Sequence, residues 1–319
     1  MNEFTPPKRF APELVEIDSR NEGQRIDNFL TTYLKGVPKS FIYRVLRRGE
    51  VRVNKGRIKP DYKLRRGDAV RIPPVRRDAS PTVTARPGDR LLELVDQNLL
   101  YEDEGLIVLN KPAGIAVHGG SGISFGVIEI LRAARPRAPF LELAHRLDRD
   151  TSGCLIIAKK RSTLRHLHQL LREHGIDKRY VALLQGSWHG GEHRVNAPLR
   201  RNILRSGERV VRVAEDGKPS YTLFRPQQSW EQASLVEALP RSGRTHQIRV
   251  HAAHLHQPIA GDEKYGDAGF NRAMQDLGLR RLFLHAAGLR FTTAAGQAVE
   301  VTAPLGPELQ QVLDALGNG

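Results

Sequence analysis

The sequence predicts mixed α and β structure in two parts. A small basic α/β domain over residues 20–77 is followed by a linker over 78–90 and a larger α+β domain over 91–319. Three observations carry this prediction. Residues 20–77 hold 17 Lys+Arg against 5 Asp+Glu, a net of +12, whereas the whole chain carries +15. Residues 78–90 mix small polar residues with Pro and Gly without periodicity, which is linker composition. Beyond them, short apolar runs alternate irregularly with helical patterns, and the helices are too few for regular βαβ winding. That leaves a mixed, largely antiparallel sheet.

In the basic segment, Ile26, Phe29, Leu30 and Tyr33 recur at helical spacing. Phe41, Val45 and Leu46 repeat the pattern after Ser40, a candidate N-cap. Val51-Arg52-Val53 and Ala69-Val70-Arg71-Ile72 read as short strands, with turn signals at Asn54-Lys55-Gly56 and Gly67-Asp68. So lopsided a charge points to a polyanionic partner. Two small helices followed by a hairpin-like element, with arginines outward, resemble the S-four RNA-binding domain. That resemblance places Arg44, Arg47, Arg48 and Lys55 against phosphates.

In the larger domain, Leu106-Ile107-Val108-Leu109 and Cys154-Leu155-Ile156-Ile157-Ala158 read as buried strands. A helix starting at Ser162 carries Leu164, Leu167, Leu170 and Leu171 before Gly175. Further strand-like segments lie near 180–184, 209–213, 220–224 and 248–251. No apolar stretch reaches the roughly 18 residues of a membrane span, and the N-terminus lacks the apolar core of a signal peptide. The single cysteine, Cys154, excludes an internal disulfide and fits a reducing cytoplasm. It reads as a small core residue.

The chemistry is concentrated in His145-Arg146-Leu147-Asp148-Arg149-Asp150-Thr151-Ser152-Gly153, which sets two carboxylates and two guanidiniums in a turn before a buried strand. This string resembles the signature of the pseudouridine synthases, in the branch containing the ribosomal large-subunit enzymes. Lys178-Arg179-Tyr180-Val181-Ala182 resembles their second motif, and Gly243-Arg244-Thr245-His246-Gln247-Ile248-Arg249-Val250-His251 their third. Asn110-Lys111-Pro112-Ala113-Gly114, Gly261-Asp262-Glu263-Lys264-Tyr265-Gly266 and Phe283-Leu284-His285-Ala286 match in the same order.

The resemblance implies a pseudouridine synthase fold, a bent sheet whose central cleft holds the catalytic Asp, behind a small RNA-binding domain. It implies detachment of uracil from carbon 1′ of ribose and its return through carbon 5, with several 23S ribosomal RNA uridines near the peptidyl-transferase region as targets. It selects Asp148 over Asp150 as nucleophile or ribose-directed base. A buried carboxylate tends to its neutral form unless a cation holds it ionised. By resemblance that cation is Arg249, with Arg244 as the alternative. Tyr180 fits a ring stacked on the target uracil, and Arg146 fits the space left by an extruded base. Within the branch, Leu34-Lys35-Gly36-Val37-Pro38-Lys39-Ser40, Val51-Arg52-Val53-Asn54 and Ala116-Val117-His118-Gly119-Gly120-Ser121-Gly122 discriminate between two sister enzymes that share both domains.

Other motifs carry less. His118-Gly119-Gly120 and Gly122-Ile123-Ser124-Phe125-Gly126 imitate parts of a serine hydrolase, but they nearly overlap, whereas an oxyanion loop and a nucleophile elbow form opposite walls. Asp150-Thr151-Ser152-Gly153 has one residue too many for an aspartic protease. His251, His254 and His256 lack metal-site spacing, and His166 and His168 point different ways on a helix. The expectation is a monomer that acts on 23S ribosomal RNA with no cofactor, no metal and no membrane. The rival reading is a non-catalytic RNA-binding protein.

Overall fold

The computed structural model describes residues 12–19, 21–34, 37, 39–75, 87–119, 125–203 and 209–317. Most of the linker (78–86), the loop residues 120–124 with their hydrolase-like serine, and residues 35, 36 and 38 of the discriminating stretch lie outside them. The chain forms two compact units, Met1–Ala85 and Arg86–Gly319.

The first unit contains β1 (Glu13–Glu16), α1 (Ile26–Tyr33), α2 (Lys39–Arg47), β2 (Arg52–Val53), β3 (Gly56–Arg57) and β4 (Ala69–Ile72). The strands form an antiparallel sheet in the order β1-β4-β2-β3. Ile26, Phe29 and Leu30 of α1 share one core with Ile42, Val45 and Leu46 of α2 and with Val53, Val70 and Ile72 of the sheet. The two turn signals are tied together. Asn54 and Lys55 take left-handed φ values of 49° and 66°, as a tight hairpin turn demands. The Asn54 amide donates to Asp68 at 2.8 Å, and its oxygen accepts from the Ala69 N–H at 2.9 Å. Helix α2 begins at Lys39, so Ser40 lies inside the first turn and is not the N-cap.

The second unit runs α3 (Asp89–Gln97), β5 (Leu99–Glu102), β6 (Leu106–Lys111), α4 (Val127–Ala134), β7 (Glu142–Leu143), β8 (Ser152–Ala158), α5 (Arg161–Glu173), β9 (Asp177–Gln185), β10 (His193–Asn196), β11 (Leu199–Ile203), β12 (Arg209–Val213), β13 (Tyr221–Ser229) and β14 (Ala233–Pro240). It continues through α6 (Gln247–His254), α7 (Ala268–Asp276), β15 (Leu284–Thr292), β16 (Ala298–Thr302) and α8 (Pro307–Gly317). The main sheet has the order β10-β13-β14-β9-β15-β8-β6-β5, with β16 on β15 and β7 on β8. Its described pairings are antiparallel except β15 with β8. The sheet is therefore mixed and largely antiparallel, as the strand spacing predicts.

One expected strand is a helix. Residues 248–251 belong to α6. The chain leaves β14 at Pro240, turns over residues 241–246 and enters the helix through His246 at φ 54°. The run Ile248, Val250, His251 and Ala252 is buried on several sides, so its apolar pattern marks neither an alternating strand nor an amphipathic helix. His251 is fully buried, with Nδ1 2.9 Å from Thr222 Oγ1 and Nε2 3.0 Å from the Ala197 carbonyl.

The β15–β8 pairing positions the site, because β15 lies between the strand that follows Asp148 and the strand that carries Tyr180. Gly153 makes that pairing possible. Its φ is +105°, and a Cβ there would stand 2.3 Å from the Ala286 carbonyl oxygen. Gly153→Ala is therefore expected to destabilise the second unit by about 3 kcal/mol, combining overpacking with a forbidden backbone angle. A wild-type melting temperature for the variant would contradict this. Cys154, next in β8, is fully buried, and burial pushes its thiol up to about 11, consistent with an inert core residue.

Candidate active site

Asp148 sits in the loop between β7 and β8, and the residues around it fix that loop from below. Leu147 is buried in the core. The Ile156 N–H donates to His145 Nε2 at 3.1 Å, and burial pulls His145 down to about 4, so it is a neutral structural group. The Thr151 N–H donates to the Asp148 carbonyl at 3.2 Å. Lys111, fully buried at the end of β6, donates from Nζ to the carbonyls of Pro112 (2.7 Å), Ile115 (2.9 Å) and Arg149 (2.9 Å). Burial pulls its pKa down to about 7, but three carbonyls at these distances match the three N–H donors of an ammonium. Lys111 thus staples the Asp148 loop to the segment after β6.

The opposite wall comes from α6. Arg249 donates Nε and Nη2 to Asp262 at 2.7 and 2.8 Å, a bidentate pair, and Nη1 to Asp148 Oδ2 at 3.2 Å. The Asp262 side chain is fully buried and also accepts from the Lys264 and Tyr265 N–H groups at 2.9 and 3.0 Å. Burial alone would raise the Asp262 pKa; the Arg249 guanidinium and the two amides outweigh it, and the net shift is downward. Arg249, although buried, is raised above its ordinary value by the same two carboxylates. The Tyr265 ring lies under the guanidinium, 5.1 Å from centroid to Cζ. Of the two arginines left open by the sequence, Arg249 touches Asp148. Arg244 is exposed and donates Nε to the Pro219 carbonyl at 3.2 Å.

These walls enclose a pocket lined by Arg146, Asp148, Tyr180, Arg244, His246 and Arg249 over an apolar floor that includes Leu147 and Leu284. Tyr180 comes from β9, opposite Ala238 of β14. Its hydroxyl makes no hydrogen bond among the described residues, and burial together with the Asp148 charge raises its pKa, so it stays a protonated phenol. Arg146 is exposed at the rim, and its guanidinium has no hydrogen-bond or ion-pair partner among the described residues. Five sequence-predicted residues, Asp148, Tyr180, Arg249, Arg146 and Arg244, therefore line one pocket.

Asp262, Lys111 and His246 lie inside motifs that the sequence displays, but nothing in their spacing reveals these interactions. Among the described residues no group of three or more His, Cys, Asp and Glu is placed to hold a metal ion.

Arg44, Arg47, Arg48 and Lys55 belong to the first unit, where all four are exposed. The Arg44 guanidinium lies 4.8 Å from the Phe41 ring centroid, Arg47 Nε donates to the Tyr43 carbonyl at 3.3 Å, and Arg48 stands 3.8 Å from Glu50. Pairings this exposed leave the charges available to an external anion.

Residues 105–254 match the family RNA pseudouridylate synthase, and residues 24–70 match the S4 domain. The chain is 55% identical over 307 residues to Ribosomal large subunit pseudouridine synthase C of Pasteurella multocida, covering 96% of this chain and 94% of that protein. It is 55% identical over 309 residues to the protein of the same name from Escherichia coli K12, covering 96% and 97%. Among solved structures, Human RNA Pseudouridylate Synthase Domain Containing 4 superposes with a TM-score of 0.60 at 25% identity, over 72% of this chain and 96% of that one. Human RNA Pseudouridylate Synthase Domain Containing 1 gives 0.56 at 26% identity, over 70% and 95%.

Proposed function

The chain belongs to the RNA pseudouridylate synthase family, and from that membership we propose that it isomerises uridines of 23S ribosomal RNA with Asp148 as its essential carboxylate. The observation that carries the residue assignment is the Arg249 hydrogen bond to Asp148 in a pocket walled by Tyr180. In the reaction the bond from carbon 1′ to N1 breaks and carbon 1′ bonds to carbon 5. The carbon-5 hydrogen leaves as a proton and N1 takes one up, so product and substrate are isomers and no electrons are gained or lost. Asp148 serves the first step, as nucleophile or as base toward a ribose proton. Tyr180 stacks on the extruded uracil, an interaction worth roughly 1–3 kcal/mol. Arg146 fills the vacated stack and offsets part of the few kcal/mol that extrusion costs. The relatives' shared name supports a large-subunit substrate, and the targets are uridines around the peptidyl-transferase region.

Tritium release from carbon-5-labelled 23S rRNA tests the activity, since a non-catalytic binder releases none. Mapping pseudouridines in 23S rRNA with and without the gene tests the target sites.

The basic first unit is the anchor in this reading. Deleting residues 1–77 is expected to weaken rRNA binding and to flatten its salt dependence. The log–log slope should shrink by roughly 0.9 for each phosphate that the deleted segment neutralises, by analogy with duplex DNA. Turnover at saturating RNA is expected to persist, because Asp148, Tyr180 and Arg249 all belong to the second unit. An unchanged slope would mean that Arg44, Arg47, Arg48 and Lys55 are merely solvated.

A further inference from the structure

His246 lines the pocket without a role in the scheme above. It is the residue at φ 54° from which α6 starts, and its two ring nitrogens face different partners. Nδ1 lies 2.7 Å from the Tyr265 hydroxyl, and Nε2 lies 3.7 Å from Asp148 Oδ2. The Tyr265 hydroxyl already accepts the Val211 N–H at 2.9 Å. A hydroxyl has one proton to give. Among the described residues the acceptor within its reach is His246 Nδ1. If Nδ1 were instead the donor, the Tyr265 oxygen would receive two hydrogens and its own proton would have no acceptor among the described residues.

Acceptance at Nδ1 places the proton of a neutral imidazole on Nε2. The ring is neutral, because burial lowers its pKa and Arg249 and Lys264 reinforce this against the pull of Asp148 and Asp262. The Nε2–H therefore faces the pocket beside Asp148. At 3.7 Å it is beyond hydrogen-bond range of Oδ2, so the donor is unspent in the free protein.

We propose that His246 is a further catalytic residue, a neutral Nε2–H donor to an oxygen of the bound uridine next to Asp148, with Tyr265 as the positioning residue that sets its tautomer. The proposal rests on the reading of Asp148 given above. When the glycosidic bond breaks, the electron pair goes to uracil and negative charge spreads onto its carbonyl oxygens. A fixed donor aimed at such an oxygen stabilises the transition state more than the ground state. No bond to His246 forms, and the ring neither gains nor loses a proton.

The test combines kinetics with ring-nitrogen NMR on the full-length protein, using 23S rRNA transcript as substrate. His246→Ala is expected to lower kcat about 100-fold with little change in KM, the scale of losing one transition-state donor. His246→Gln keeps an N–H at similar reach and is expected to recover most of that loss. The wild-type spectrum should show the Nε2–H tautomer, and Tyr265→Phe should show a mixture together with a reduced kcat. Wild-type kcat in His246→Ala, equal losses for Ala and Gln, or an Nδ1–H tautomer in the wild type would each overturn the proposal. If His246→Ala does not fold, the Gln variant and the wild-type spectrum still decide. Asp148→Asn runs in the same assay. If it retains turnover, the reading of Asp148 falls and this proposal falls with it. If it is inactive while His246→Ala is fully active, only the role of His246 is refuted.

Discussion

An Asp148→Asn variant is expected to bind 23S rRNA as the wild type does and to lose isomerisation by at least about a thousandfold, the scale seen when a catalytic nucleophile is removed. Asparagine keeps the side-chain shape, and its carbonyl oxygen can still accept from Arg249 Nη1, now 3.2 Å from Oδ2. Stability should change little, because the bidentate Arg249–Asp262 pair remains and the Asp148 loop hangs on Lys111 and on backbone bonds that the change does not touch. What disappears is the anionic oxygen that attacks or takes the proton. Tritium release from carbon-5-labelled rRNA reads the loss, and a filter-binding titration reads the affinity. Residual turnover within about tenfold of wild type would remove Asp148 from the centre of the mechanism.

Much of this site is legible in the sequence because its members fall in compact motifs. Asp148 and Arg146 share one nine-residue string, and Tyr180 and Arg249 each sit in a string of their own. The supporting interactions are not legible, for a physical reason. Lys111 reaches the Arg149 carbonyl across 38 positions, and any residue type offers a carbonyl, so no side-chain pattern announces the bond. Asp262 is a short acidic side chain beside a glycine, a composition that fits a solvated turn equally well. Only the folded chain shows it fully buried against Arg249. The misread helix has the same origin. Between the left-handed His246 and the turn after His254, Ile248 and Ala252 pack into the core of the main sheet while Val250 packs on Leu199 and Val211 of the β11–β12 pair, and burial on several sides erases periodicity. The edge strand β1 is missed because a half-exposed edge carries little alternation: Leu14 is 71% exposed. Where one face meets the core and the other water, as in α1, α2 and α5, the pattern places the element.

Arg249 joins stability to activity, and two substitutions separate the contributions. Its side chain is 13% exposed and that of Asp262 is 0%, so Arg249→Met leaves a buried carboxylate without its counterion. Breaking a buried pair from one side costs about 3–5 kcal/mol, a large part of the roughly 5–15 kcal/mol that holds a domain together. The pH dependence has a definite sign. In the wild type the Asp262 pKa is depressed, so its contribution is present above the ordinary carboxylate value and is lost as pH falls through the depressed one. In Arg249→Met only the two backbone amides still oppose burial, so that pKa rises relative to the wild type, and the penalty is present at neutral pH and fades as acid protonates the carboxyl. The stability gap between variant and wild type should therefore narrow from about pH 7 towards about pH 4, as measured by urea denaturation. Arg249→Met combined with Asp262→Asn should regain much of the loss, because neither charge is then buried.

Arg249→Lys makes the complementary separation. A lysine keeps the positive charge but has one nitrogen, which cannot make the bidentate bond to Asp262 and also reach Asp148. The fully buried partner desolvates more and should win the lysine. The variant is then expected to fold with only a modest loss of stability while kcat falls by about 100-fold or more, on the scale of losing a directed charged hydrogen bond in the active site. Full turnover in a folded Arg249→Lys enzyme would show that the 3.2 Å bond to Asp148 is dispensable and that Arg249 serves Asp262 alone.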